Sequence, residues 1–148
     1  MNFNEEKGNL FDLDNNKYTY VHCISSDCAM GAGIAKEFVK RYKGIREWIK
    51  NRINNSWTNY PLCVPMIENK HTIVINLVTK DKYWNKPTYD SLKSTLIDMR
   101  EFCIRHDIKY LAMPKIGCGL DGLEWKNVRK MIINLFEDTD INIEIRYL

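Results

Sequence analysis

No apolar run in this chain approaches the roughly 20 residues that span a bilayer, so a helical membrane anchor is not expected. The first residues are polar and acidic (Asn2, Asn4, Glu5, Glu6), which is not how a secretory leader reads. No internal repeat, low-complexity tract or linker breaks the 148 residues, and the expectation is one domain over 1–148. An excess of one charge is lacking too. Twenty-two Lys and Arg against 19 Asp and Glu leave a net +3, too little to argue for nucleic acid by electrostatics. The five cysteines are odd in number and scattered, at Cys23, Cys28, Cys63, Cys103 and Cys118. They build no disulfide framework and fit reduced thiols in a cytoplasmic compartment.

Several motifs are absent as well. No Gly-Lys-Ser/Thr occurs, which excludes a P-loop. Gly31-Ala32-Gly33 lacks the third glycine of a dinucleotide fingerprint, since position 36 is Lys36. The acid expected about 20 residues further on is also missing, so a nicotinamide cofactor is rejected. His22, Cys23 and Cys28 have no second pair to complete four metal ligands, and His22 and Cys23 alternate across a strand. No metal and no cofactor are expected. Cys118 lies between two glycines with no histidine near it in sequence to act as a base. It reads as a small residue packed under a turn.

What remains is ordinary for a folded protein, 45% hydrophobic and 28% charged, and long enough to bury a core without staples. Phe3–Glu6, Tyr18–Ile24, Leu62–Ile67, Thr72–Val78, Lys109–Met113 and Ile141–Leu148 read as strands. Pro61 and Pro65 place the third of these at a sheet edge or break it. Helical apolar spacing covers Ile34–Tyr42, Ile45–Asn54, a long segment after Thr88 as N-cap, and Leu123–Asp138. Strands and helices alternate, which predicts an α/β fold with a central, mostly parallel sheet covered on both faces.

Ligands on such sheets bind outside the carboxyl ends of the strands. Two glycine-bearing loops, Ser25–Gly33 and Pro114–Gly122, follow strands and belong to that rim. Backbone N–H groups of such turns can surround an anion, and two loops together suit a ligand with several phosphates and sugar hydroxyls. Asp121 gains nothing from a phosphate. It reads either as chemistry and hydroxyl recognition or as the cap of the following helix. Lys80 ends a strand, so rigid structure sets its direction. An amine so placed can attack a sugar aldehyde as a Schiff-base nucleophile. It heads a cluster with Lys82, Tyr83, Trp84 and Lys86.

The segments Gly8-Asn9-Leu10-Phe11, His22-Cys23-Ile24-Ser25, Asp27-Cys28-Ala29-Met30-Gly31-Ala32-Gly33-Ile34-Ala35, Thr79-Lys80, Lys86-Pro87-Thr88-Tyr89 and Met113-Pro114-Lys115-Ile116-Gly117-Cys118-Gly119-Leu120-Asp121 occur in the order of one family. The chain resembles a macrodomain, in the branch of the terminal ADP-ribose protein glycohydrolase. The resemblance implies a three-layer α/β/α fold with a mixed, mostly parallel sheet. It implies an ADP-ribosyl hydrolase that frees mono-ADP-ribose from glutamate or aspartate esters on proteins.

By the same resemblance Lys80 attacks the distal ribose and forms a lysyl–ADP-ribose adduct, and Asp121 assists departure and resolves the adduct. The loop Ala29–Ile34, with Met30, Gly31, Ala32 and Gly33, and the turn Gly117–Leu120, with Cys118 and Gly119, are implied to hold the diphosphate. Ser25 is implied at the distal ribose, and Thr79, Pro114 and Ile116 along the substrate. The family's adenine-reading aspartate is Asn9 here, beside the backbone of Leu10. The implied partners are ADP-ribose and a mono-ADP-ribosylated protein. A monomer is expected, in the cytoplasm, with the nucleus as the alternative in a eukaryote. The alternatives are release of O-acetyl or 1″-phosphate groups from ADP-ribose, removal of ADP-ribose from DNA, and a reader that cleaves nothing. Retention of both Lys80 and Asp121 argues against the reader.

Overall fold

The aromatic and β-branched run Thr19–Ser25 is a strand buried on both faces, as expected at the centre of a parallel sheet. The computed structural model describes residues 1–54 and 62–148. Among them are six strands: β1 (Asn2–Lys7), β2 (Thr19–Ser25), β3 (Cys63–Glu68), β4 (His71–Lys80), β5 (Tyr110–Met113) and β6 (Asn142–Tyr147). The helices are α1 (Gly33–Arg41), α2 (Ile45–Asn54), α3 (Tyr89–Arg105) and α4 (Trp125–Phe136). Short 3-10 turns occupy Leu10–Asp12 and Gly119–Asp121.

The strands form one sheet in the order β1-β6-β5-β2-β4-β3. Every pairing is parallel except β3 with β4, so the sheet is mixed and mostly parallel, as expected. Period-2 alternation sorts its side chains. Val21, Ile75 and Leu77 pack with Leu92, Leu96 and Met99 of α3 and Val128 and Ile132 of α4. Tyr20, Ile24, Val74 and Val78 pack with Phe38 of α1 and Ile45 and Ile49 of α2. Helices therefore cover both faces, and three layers result.

Local chemistry accounts for the boundaries. Thr88 caps α3 as expected: its Oγ1 accepts from Ser91 N at 3.0 Å, and Ser91 Oγ accepts from Thr88 N at 2.9 Å. β3 is an edge strand that stays paired through Pro65, opposite Ile75. Pro61 lies outside the described residues. The last helix is shorter than its apolar spacing predicts and begins at Trp125. Among the described residues no helix is long and apolar enough to cross a membrane.

One polar pair is buried between β2 and β4, where His22 and Asn76 are partners in register. Asn76 Nδ2 donates to Val64 O at 3.0 Å, so its Oδ1 is left for His22 Nε2, 2.5 Å away. The imidazole stacks on Phe38 with ring centres 4.0 Å apart, and its Nδ1 has no partner among the described residues. Burial pushes the pKa down to about 4, against the opposing hydrogen bond of Asn76. The folded state therefore holds His22 neutral, whereas the unfolded chain takes up a proton near 6.5.

By linkage, this contribution to stability is complete above 6.5 and is lost as pH falls toward about 4. Urea unfolding across that interval should show a falling free energy. His22→Phe should flatten the decline while lowering stability at neutral pH by about 1–3 kcal/mol, because Asn76 Oδ1 loses its partner. An unchanged acid limb in the variant would assign the decline to other groups.

Candidate active site

Parallel pairing sends the loops after β2, β4 and β5 to one rim. Between them lies a cleft of about 850 Å³, within the range that holds a cofactor-sized ligand. Ser25, Met30, Gly31, Ala32, Gly33, Ile34, Lys80, Pro114, Ile116, Gly117, Cys118, Gly119, Leu120 and Asp121 all line it. The sequence-predicted set therefore converges, with three exceptions. Thr79 is buried in the sheet, its Oγ1 3.5 Å from Ile24 O. Leu10 is buried in the core beside Phe38. Asn9 caps the 3-10 turn Leu10–Asp12, its Oδ1 accepting from Phe11 N at 2.9 Å. None of the three lines the cleft.

The two glycine loops meet. A Cβ on Gly33, where φ is +59°, would stand 3.7 Å from Leu120 Cδ1. Helix α1 begins at this junction. Its N-cap, Ala32, supplies no capping side chain, so the first amides of the helix, which have no partner within it, are left to the cleft. The positive end of the helix dipole adds to them. The turn Gly119–Asp121 has the same character, with no side-chain bond from its N-cap Cys118. Together the loops present unpaired amides that can surround an anion such as a phosphate.

At the cleft's floor Lys80 Nζ donates to Asp121 Oδ1 at 2.8 Å. Both side chains are largely withdrawn from solvent, at 15% and 18% exposure. Lys80 is the last residue of β4, and Ser26 N donates to its carbonyl at 2.9 Å, so its backbone cannot drift. Asp121 sits in a turn closed by Gly122 N to Gly119 O at 3.1 Å and Leu123 N to Gly117 O at 2.9 Å. The cap of α4 is Glu124 instead. The capping role open to Asp121 from sequence is thus not the one it takes. An amine and a carboxylate in contact can pass a proton between them, which is what nucleophilic attack by the amine requires.

Cys23 and Cys118 also line the cleft. Burial pushes the Cys118 thiol up, and burial raises Cys23 further, with Asp121 adding to it. Tyr83 and Lys86 reach the same cleft from the loop after β4. Lys86 Nζ donates to Leu120 O, bridging two of the loops. Tyr83 is more than half exposed and meets the equally exposed Trp84 edge to face. Asp27 carries no role in the sequence analysis. Its carboxylate joins Ser25, Ala29 and Tyr83, and the only local hint is its place two residues after Ser25.

A family model described as the Macro domain matches residues 21–132. The ADP-ribose glycohydrolase OARD1 of Bos taurus is 38% identical over 139 residues, covering 94% of this chain and 87% of that protein. OARD1 of Homo sapiens matches equally, at 38% over the same share of each chain. Among solved structures, the macrodomain of Mycobacterium tuberculosis DarG superposes with a TM-score of 0.86 at 21% identity, covering 99% of this chain and 97% of that one.

Gly117 and Gly119 of the loop after β5 should respond differently to a methyl group. At Gly117, with φ +73°, a Cβ would stand 3.1 Å from both Leu123 Cδ1 and Leu92 Cδ2. At Gly119, with φ +68°, nothing lies within 4 Å. Gly119→Ala should lose only the left-handed backbone penalty of about 1–2 kcal/mol. Gly117→Ala should add crowding of about 1–3 kcal/mol. Chemical denaturation of both variants checks the order.

Proposed function

The chain belongs to the macrodomain family, and from that premise we propose that it is an ADP-ribosyl hydrolase releasing mono-ADP-ribose from glutamate and aspartate esters on proteins. The observation that carries this reading is the contact of Lys80 Nζ with Asp121 Oδ1, 2.8 Å apart at the floor of the cleft. Binding alone needs no amine beside a carboxylate in a site meant for an anion. The similarity to the two ADP-ribose glycohydrolases over nearly the whole chain supports the same class.

The diphosphate of ADP-ribose occupies the cradle between α1 and the Gly117–Leu120 turn, and the distal ribose reaches Ser25, Lys80 and Asp121. Asp121 takes a proton from the lysine ammonium. The free amine attacks the anomeric carbon; a nitrogen–carbon bond forms and the bond to the carboxylate of the target breaks. The target leaves as an ionised side chain. Water then attacks the anomeric carbon of the lysyl–ADP-ribose adduct and the nitrogen–carbon bond breaks; one water proton stays on the departing lysine, Asp121 passes its proton to solvent, and free ADP-ribose and the Lys80–Asp121 pair are regenerated. The resemblance puts the adenine toward Asn9 and Leu10, but neither lines the cleft, and Asn9 Oδ1 already serves Phe11 N.

ADP-ribose at 100 times its dissociation constant should stabilise the protein by about 2.7 kcal/mol. Gly119→Glu should abolish the shift by adding a carboxylate to the cradle. If calorimetry shows no binding of millimolar ADP-ribose to the unmodified protein, the reading is wrong.

Turnover is tested on glutamate-, serine- and thymidine-linked ADP-ribose, and release is expected from the glutamate ester. Asp121→Ala should lose about 10²- to 10⁴-fold in rate with little loss of ADP-ribose affinity. Lys80→Arg and Lys80→Ala should lose activity alike, because a guanidinium keeps its charge but cannot attack. Borohydride quenching of the wild type should trap one ADP-ribose on the Lys80 peptide. Near-normal turnover by Lys80→Arg without a trapped adduct would leave Asp121 activating water directly.

A further inference from the structure

Asp27 belongs to the loop that follows β2, but nothing in the chemistry above uses it. Its Oδ1 accepts from Ser25 Oγ at 2.5 Å and from Ala29 N at 3.2 Å, and its Oδ2 accepts from Tyr83 N at 3.1 Å. One carboxylate thus ties together a hydroxyl in the cleft, the start of the phosphate loop and the loop after β4. Main-chain bonds run alongside: Asp27 N donates to Asp81 O at 3.2 Å, and Ser26 Oγ to Asp81 O at 2.7 Å. The loop so closed holds two non-glycine residues in the left-handed region, Cys28 at φ 55° and Met30 at φ 48°. Such residues persist only where their surroundings hold them.

The consequence concerns the proton of Ser25. Burial works to raise the Asp27 pKa, but the Ser25 hydroxyl and the amides of Tyr83 and Ala29 outweigh it and hold the group below the usual carboxylate value. An ionised carboxylate only accepts, and a serine hydroxyl has one proton to give. That proton points at Asp27. Ser25 is among the residues that line the cleft, and with its proton given to Asp27 its hydroxyl oxygen has only lone pairs to offer a ligand there.

We propose that Asp27 is a positioning residue that fixes Ser25 as a hydrogen-bond acceptor, so that the cleft selects ligands offering a sugar hydroxyl there. The proposal rests on the ADP-ribosyl reading, in which the distal ribose lies at Ser25. A hydroxyl can donate to the serine oxygen. A further phosphate, which only accepts, meets lone pair against lone pair. The device gives the site a preference for a sugar over a phosphate beyond the diphosphate, and uses no positive charge to do so.

The test compares calorimetric dissociation constants of ADP-ribose and ADP, which lacks the distal sugar, for the wild type, Ser25→Ala, Asp27→Asn and Asp27→Ala. Ser25→Ala and Asp27→Ala should each weaken ADP-ribose about tenfold, the scale of one lost hydrogen bond, and leave ADP within about threefold. Asp27→Asn keeps an acceptor oxygen without charge and should fall between wild type and Asp27→Ala in the ADP-ribose to ADP ratio. In a Ser25→Ala background, Asp27→Asn should not change that ratio further.

Equal weakening of both ligands in the Asp27 variants would reduce the residue to a loop brace and overturn the proposal. So would a wild-type ratio in Ser25→Ala. If Asp27→Ala does not fold, the ratio in Asp27→Asn decides, and an unaltered value there also overturns it. A wild type that binds ADP but not ADP-ribose would overturn the ADP-ribosyl reading itself, and this proposal with it. ADP-ribose binding by the wild type with unaltered ratios throughout would overturn this proposal alone.

Discussion

Ser25 and Lys80 are partners across the ladder between β2 and β4. In a parallel pair both strands end on the same side, so this one pairing delivers a hydroxyl and an amine to the same rim. Their relative offset comes from a register shift between Ile24 and Ser25. Were β2 to slip by one residue, its side chains would exchange faces. The buried His22–Asn76 pair makes that slip costly, because both polar groups would lose their partners. The site thus inherits its alignment from a polar contact in the interior.

The cleft resolves a conflict of charge. On the proposed function a diphosphate needs positive potential, yet hydrolysis is helped by a carboxylate nearby. The conflict eases because the cradle is made of main-chain amides and a helix end, which need no counter-ion, while Asp121 is held by Lys80. In the proposed mechanism the cation that neutralises the carboxylate is the same group that attacks as an amine. Lys86, occupied with the carbonyl of Leu120, leaves the floor of the cleft to that pair.

Much of this was legible in the sequence. Alternation of strand and helix patterns predicts the layers, and the position of Lys80 directly after an apolar run places it on the rim. Thr88 as an N-cap and the edge position of the Pro65 strand follow from local chemistry. The contact of Lys80 with Asp121 bridges 41 positions, and no periodicity encodes such a meeting; it came from resemblance to a family. Asp27 went unread for the same reason, since Tyr83 lies 56 positions away. Asn9 and Asp121 show the opposite failure. Each belongs to a residue type that caps helices well, and only tertiary structure decides that Asn9 does so and Asp121 does not.

The outer edge of β3 has a meaning for how the chain behaves in a crowded solution. A sheet edge is a template on which a stray strand can add. Pro65 has no N–H to offer such a strand, and its carbonyl is already taken by Trp48 Nε1 at 3.0 Å. At the opposite edge the side chains of Asn2 and Asn4 are turned inward to Asn142 and Glu144 of β6, and Glu5 and Glu6 put charge along the border. The same sequence features that end the sheet leave both edges a poorer template for a stray strand.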